Sequence, residues 1–108
     1  MSEQLQAQYN AFKSSIQDLT LKIQELKTDS EEHRIVLESL AQTDGERNCK
    51  RMIGTVLVDK KVKDVIPALE ETLKGLEKAI ETLKEDLKST ETRMDQWKKE
   101  HNIKVVSS

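Results

Sequence analysis

The chain is short of the side chains that fill a compact core. Tyr9, Phe12 and Trp97 are its only aromatic residues, and hydrophobic residues make up 35% of the sequence, the same share as charged residues. This balance is expected when each helix buries only a narrow apolar stripe and leaves the rest of its surface in water. The composition therefore argues against a compact globular core and predicts an elongated fold.

Other absences exclude classes of site and partner. Cys49 is the only cysteine, so no internal disulfide is possible and a metal site would lack its usual thiolate cluster. No apolar run approaches the roughly 18 residues that span a bilayer, and Met1 opens no secretory signal pattern, which predicts no membrane partner and a cytoplasmic location. The net charge of −2 includes no dense basic segment, so nucleic acid is not an expected partner either.

Patterns typical of enzymes are missing as well. The sequence has neither a Gly-rich nucleotide-binding loop nor a cluster of titratable side chains. We therefore expect no catalytic residues, no metal and no cofactor, and any binding activity should need no ATP of its own.

What the sequence does contain is two apolar stripes with a mean period of 3.5 residues, held for about five heptads each, which is typical of a coiled coil. The first stripe consists of Leu5, Tyr9, Phe12, Ile16, Leu19, Ile23, Leu26, Ser30, His33, Leu37 and Leu40. The second stripe consists of Ile66, Leu69, Leu73, Leu76, Ile80, Leu83, Leu87, Thr90, Met94, Trp97 and His101. Each stripe predicts one long helix, and the fold is expected to be mainly α.

Residues 49–61 between the stripes predict a β-hairpin. They are rich in Val, Ile, Leu and Met, follow an Asp44-Gly45 turn signal, and place Gly54-Thr55 where a two-residue turn would sit. In that register Met52 faces Leu57 on one side of the hairpin and Ile53 faces Val56 on the other. Both faces are therefore partly apolar.

A two-stranded hairpin with apolar faces and unpaired edges is marginal in water. Several chains that pool their hairpins into a closed or nearly closed sheet would satisfy the edges and bury the apolar side chains. The alternative is a loop that folds back on the helices. The residues expected to take part in subunit assembly are Met52, Ile53, Gly54, Val56, Leu57 and Val58.

The connector reverses the chain, so the two helices are expected to pair as an antiparallel coiled coil. In the predicted register Leu40 lies near Ile66 and Leu5 near His101, which brings the chain termini together. Asp59 is a plausible N-cap for the second helix, and Pro67 is expected to bend that helix or delay its regular start to about residue 67. The predicted boundaries within a single domain, 1–108, are a helix over 3–42, a hairpin over 48–59, a helix over 60–101 and a tail over 102–108.

Two groups of residues in the stripes are candidates for function. The polar members Ser30, His33 and Thr90 are either ligands or, more commonly, residues that fix register or loosen the coil. The end of the rod collects all the aromatics, and frayed helix ends can offer apolar side chains to a partner. The alternative is that Phe12 and Trp97 only plug the end of the coil. The candidate binding residues there are Tyr9, Phe12, Met94, Trp97, Ile103, Val105 and Val106.

Two segments resemble the β-class subunits of the prefoldin family: NCKRMIGTVLVDKKVKDVIPAL from Asn48 to Leu69, and MDQWKKEHNIKVV from Met94. The first helix agrees in pattern more than in identity. The chain departs from the family pattern at Thr55, where a second Gly is common, and at Lys60-Lys61, where Arg-Thr is usual. These departures concern details of the turn.

The resemblance implies a heterohexamer of two α-class and four β-class subunits whose hairpins form β-barrels. It also implies an ATP-independent chaperone that binds unfolded proteins, notably actin and tubulin, and passes them to the cytosolic chaperonin. The alternative function is a structural coiled-coil adaptor or assembly module that spaces other proteins and has no holding activity.

Overall fold

The computed structural model describes residues 2–103. Its elements follow one another as helix α1 (Glu3–Ala41), strand β1 (Asn48–Ile53), strand β2 (Val56–Lys61) and helix α2 (Val62–Glu100). The predicted order of helix, hairpin and helix is confirmed. The tail residues Val105 and Val106 lie outside the described residues.

Both helices bury the stripes that the heptad pattern predicted. Every member of the first stripe is buried or half-buried, with Ile23 and Ser30 the most enclosed. In α2 the same holds for the second stripe from Ile66 to Trp97, whereas His101 is exposed. The expectation that the buried stripe reaches His101 was wrong, because α2 ends at Glu100 and the chain turns there.

The chain forms two compact units, each of which contains a part of both helices. The terminal unit consists of Met1–Glu25 and Ile80–Ser108, and the hairpin unit consists of Leu26–Ala79. In the terminal unit the start of α1 contacts the end of α2 through the hydrogen bond between Gln8 and Trp97. In the hairpin unit an ion pair joins Arg34 of α1 to Glu77 of α2 at 3.0 Å. Within each unit the helices therefore run antiparallel, as predicted.

The hairpin has the predicted register. Ile53 pairs with Val56 and Met52 with Leu57, and the ladder continues to Asn48 opposite Lys61. Gly54 occupies the first turn position with a φ of 62°, a left-handed conformation that only glycine adopts without strain. The glycine is therefore a requirement of the turn.

The start of α2 differs from the prediction. Asp59 is not its N-cap, since β2 continues to Lys61 and the helix begins at Val62. Backbone carbonyls of the loop between α1 and β1 take the place of a capping side chain: the Val62 N–H donates to the Arg47 oxygen at 2.9 Å, and the Lys63 N–H to the Gly45 oxygen at 3.0 Å. These bonds satisfy two of the N–H groups that every helix start leaves unpaired.

Pro67 lies inside the helix and does not delay its start. Val62 is 1% exposed and Val65 5% exposed, so the turn that precedes the proline is fixed by the burial of two apolar side chains. The free energy gained by that burial offsets the cost of the backbone hydrogen bond that a proline cannot donate.

Candidate binding surfaces

Trp97 is the centre of an aromatic cluster in the terminal unit. Its ring centre lies 5.6 Å from that of Phe12 and 6.4 Å from that of Tyr9, and its Nε1 donates to Gln8 Oε1 at 2.8 Å. The indole is only 8% exposed, and Met94 is equally enclosed. These two side chains fill the seam between the helices, and they present little surface of their own.

The half-buried aromatics are the ones that keep surface to offer. Lys13 Nζ lies 5.5 Å from the centre of the Tyr9 ring, so the lysine covers part of that residue. Phe12 contacts Trp97 on one side and lines an open cleft on the other. Ile103 is half-buried after α2, where its N–H donates to the Lys98 oxygen at 2.8 Å and Asn102 adopts a φ of 50°. This is a common way to close the last turn of a helix.

A groove runs along one flank of the terminal unit, and the sequence interpretation missed it. Its apolar half is a cleft of about 360 Å³ lined by Gln8, Ala11, Phe12, Ser15, Thr90, Arg93 and Trp97. Its polar half is a cleft of about 390 Å³ lined by Ser15, Asp18, Leu19, Asp86, Ser89, Thr90 and Arg93. Because the two halves share three residues, we treat them as one surface and call it the flank groove.

Small side chains keep the flank groove open. Ala11, Ser15 and Ser89 line it with short side chains, and Ser15 stands directly beside the buried stripe, at a position where coiled coils usually carry a long charged side chain that covers the seam. A short residue beside the heptad stripe, such as Ser15, is the signal in the sequence from which this opening could have been found.

Charged groups define the polar half. The Arg93 guanidinium donates to Thr90 Oγ1 at 3.4 Å, and Thr90 Oγ1 donates to the Asp86 backbone oxygen at 2.8 Å. The side chains of Asp18 and Asp86 are exposed, and within residues 2–103 neither carboxylate is held in an ion pair. Two carboxylates and one guanidinium therefore face the same half of the groove.

The hairpin forms a second apolar surface. Met52 and Val56 are each 60% exposed, Leu57 is 54% exposed and Ile53 51% exposed. Gly54 at the tip is also exposed, and Val58 is half-buried. The structure thus brings the predicted assembly residues together on a small sheet whose two faces remain open within this chain.

An ionic clamp that the sequence did not reveal joins the loop before β1 to the junction between the hairpin and α2. The Glu46 carboxylate accepts a hydrogen bond from Lys61 Nζ at 2.8 Å and another from Lys63 Nζ at 2.7 Å. The bond from Lys61, followed by that from Lys63, lowers the pKa of Glu46 from its ordinary value of 4.5. One carboxylate of the loop before β1 therefore contacts the residues on both sides of the junction between β2 and α2.

Two of the three polar stripe residues donate hydrogen bonds within their own helices. His33 Nδ1 donates to the Asp29 backbone oxygen at 2.8 Å, and Thr90 likewise donates to its own helix. Ser30 Oγ is buried without a hydrogen-bond partner in the described part of the chain. Over residues 2–103 there is also no group of three metal-ligating side chains and no helix with the length and apolarity that crossing a membrane requires.

Comparison with known proteins gives one consistent result. A family model described as "Prefoldin subunit" matches residues 3–108. The chain is 39% identical over 102 residues to the probable prefoldin subunit 2 of Schizosaccharomyces pombe, an alignment that covers 94% of this chain and 90% of that protein. It is 39% identical over 103 residues to prefoldin subunit 2 of Saccharomyces cerevisiae, with 95% and 93% covered. Against human prefoldin subunit 2 the identity is 35% over 105 residues, with 97% and 68% covered.

A solved structure agrees with the fold. The prefoldin beta subunit from Thermococcus strain KS-1 superposes with a TM-score of 0.74 over 88% of this chain and 86% of that one, at 17% sequence identity. At that identity the superposition shows a shared fold and carries no information on binding partners.

Proposed function

Since this chain belongs to the prefoldin family, we propose that it holds unfolded polypeptides such as actin and tubulin, without ATP, and delivers them to the cytosolic chaperonin. Family members are chaperone subunits that work in heteromeric complexes, and this chain is one of them. The proposed complex is a heterohexamer of two α-class and four β-class subunits, located in the cytoplasm.

The observation that carries the assembly part of this proposal is the exposed hairpin. Four large apolar side chains at its end are each more than half exposed, and single chains rarely leave such a contiguous patch in water. Pairing with the hairpins of other subunits in a β-barrel would bury both faces and satisfy the open strand edges. The proposed assembly residues are Met52, Ile53, Gly54, Val56, Leu57 and Val58.

The proposed client-binding surface is the end of the terminal unit. Phe12 and Tyr9 are its half-buried aromatics, while Trp97 and Met94 support them from within the seam. The same surface is proposed to include Ile103, Val105 and Val106. Each such contact is weak, and linking several arms in one complex raises the effective concentration of every further contact.

The test is suppression of aggregation by a complex reconstituted with this chain. A chemically denatured protein is diluted into buffer with the wild-type complex or with a complex that carries Phe12→Ser. We expect weaker protection by the variant, because a polar side chain replaces the aromatic one that lines the groove, and we expect the same protection with and without ATP. Leu21→Ser is the matched control, since Leu21 is 64% exposed in the same unit and does not line the groove. Equal protection by all three assembled complexes would place the client site elsewhere.

The structural adaptor is the second candidate function. An adaptor would bind one folded partner and would leave unrelated denatured proteins unprotected, so a panel of three unrelated denatured proteins separates the two functions. Protection of all three supports the holding chaperone.

A further inference from the structure

The flank groove has two chemically different halves, and this difference bears on which unfolded segments bind. Phe12 and Trp97 line the apolar half, whereas Asp18 and Asp86 line the polar half. A purely apolar cleft would accept any hydrophobic side chain. A cleft that continues into a pair of carboxylates also discriminates by charge.

We propose that the flank groove prefers unfolded segments in which a basic side chain lies three to five residues from an apolar one, an inference that rests on the proposed client binding. The apolar side chain occupies the half lined by Phe12 and Trp97. The lysine or arginine reaches the half lined by Asp18 and Asp86.

The spacing follows from helix geometry. Phe12 and Asp18 are six positions apart on α1, and Trp97 and Asp86 are eleven positions apart on α2. At 1.5 Å of rise per residue, the two halves are separated by about 9 to 16 Å along the helices. An extended client chain advances about 3.3 Å per residue, so it covers that distance in roughly three to five residues.

The charge preference follows from the partners of each group. Arg93 donates a hydrogen bond to the Thr90 hydroxyl and keeps its positive charge, while the carboxylates of Asp18 and Asp86 have no ion-pair partner within residues 2–103. With two negative groups against one positive group, the polar half carries an excess negative charge. Because both carboxylates are exposed, each ion pair with a client is a weak one, and the expected preference for a basic over an acidic segment is roughly two- to tenfold in Kd.

The experiment measures the binding of labelled peptides to the reconstituted complex by fluorescence anisotropy. Four Gly/Ser-based peptides of equal length differ only at the probe positions. The first has Leu with Lys four residues later, the second has Glu in place of that Lys, the third has Ser in place of the Leu, and the fourth places the Lys next to the Leu. The complexes carry wild-type chain, Asp18→Asn with Asp86→Asn, or the control pair Glu91→Gln with Asp95→Asn. The control pair removes the same charge from exposed positions that do not line the groove.

We expect the Leu-Lys peptide to bind two- to tenfold more tightly than both the Leu-Glu peptide and the peptide with adjacent Leu and Lys. The preference over Leu-Glu should disappear in the Asp18/Asp86 variant, persist in the control pair, and weaken in 0.5 M salt, where exposed charges are screened. Equal binding of the Leu-Lys and Leu-Glu peptides, or a preference that survives Asp18→Asn with Asp86→Asn, would overturn the charge selection. Client binding itself would stand in that case, provided that both Leu peptides bind more tightly than the Ser peptide. If the Ser peptide binds as well as the others, both the selection and the proposed client binding at this surface are wrong.

Discussion

Replacement of Ser30 by Ala should stabilise the protein. Ser30 is 2% exposed in the seam of the hairpin unit, and its Oγ has no hydrogen-bond partner among the residues that the structure describes. A buried hydroxyl that has lost its bonds to water and gained none in return costs about 1–3 kcal/mol. Alanine removes that hydroxyl and changes the volume by only one atom.

Two smaller effects modify this value. Alanine has a higher helix propensity than serine, by up to about 0.5 kcal/mol in a helix interior, whereas the lost oxygen leaves some neighbouring atoms without a contact. We expect a net gain of about 1–2 kcal/mol in the free energy of unfolding. For a chain of this size, that gain corresponds to a rise in Tm of about 5 °C or more.

The assay is urea unfolding followed by helical circular dichroism, with the m value compared between variants to show that the folded state is unchanged. Ser14→Ala is the matched control, because Ser14 is exposed on the same helix and reports helix propensity alone. The reasoning is refuted if Ser30→Ala is no more stable than Ser14→Ala, since the buried hydroxyl would then carry no penalty.

Two further predictions concern the hairpin unit. Leu57→Asp should abolish assembly with partner subunits while leaving the helical signal mostly intact, because a carboxylate would have to enter the buried face of the proposed barrel. Native mass measurement tests this. An unchanged mass of the complex would show that the hairpin is only a connector. Glu46→Gln should lower the free energy of unfolding near neutral pH and have little effect at pH 3. The two lysines depress the pKa of Glu46 in the folded state. The contribution of Glu46 to stability is therefore present above the ordinary pKa of 4.5 and is lost as the pH falls through the folded-state pKa. Urea midpoints at pH 7 and pH 3 measure the effect, with the exposed Glu85→Gln as control, and a difference between wild type and Glu46→Gln that is equally large at both pH values would contradict it.

The sequence predicted the parts of this fold that depend on periodicity. A heptad pattern determines which side of each helix is buried whatever the partner is, so the stripes from Leu5 to Leu40 and from Ile66 to Trp97 were identified residue by residue. The hairpin register was predictable for a similar reason. Gly54 is the residue that tolerates the left-handed turn conformation, and strand alternation then fixes the pairs on either side.

Contacts between residues far apart in sequence were decided only by the tertiary structure. Local pattern suggested Asp59 as the cap of α2, but the loop carbonyls of Gly45 and Arg47 came close enough to replace it. The local sequence likewise gave no sign that Glu46 would form ion pairs with both Lys61 and Lys63. Such bonds depend on how a turn is placed in space, which no single segment specifies.

The candidate site shows the same division. The sequence by itself placed every aromatic residue at one end of the coiled coil, because position in a heptad and chain direction suffice for that. Which of them keeps free surface depended on packing: Trp97 is enclosed between Phe12, Tyr9 and its hydrogen bond to Gln8, whereas Phe12 remains open to the flank groove. The groove itself exists because short side chains from two different helices lie side by side, and only the antiparallel pairing of those helices in the terminal unit brings them together.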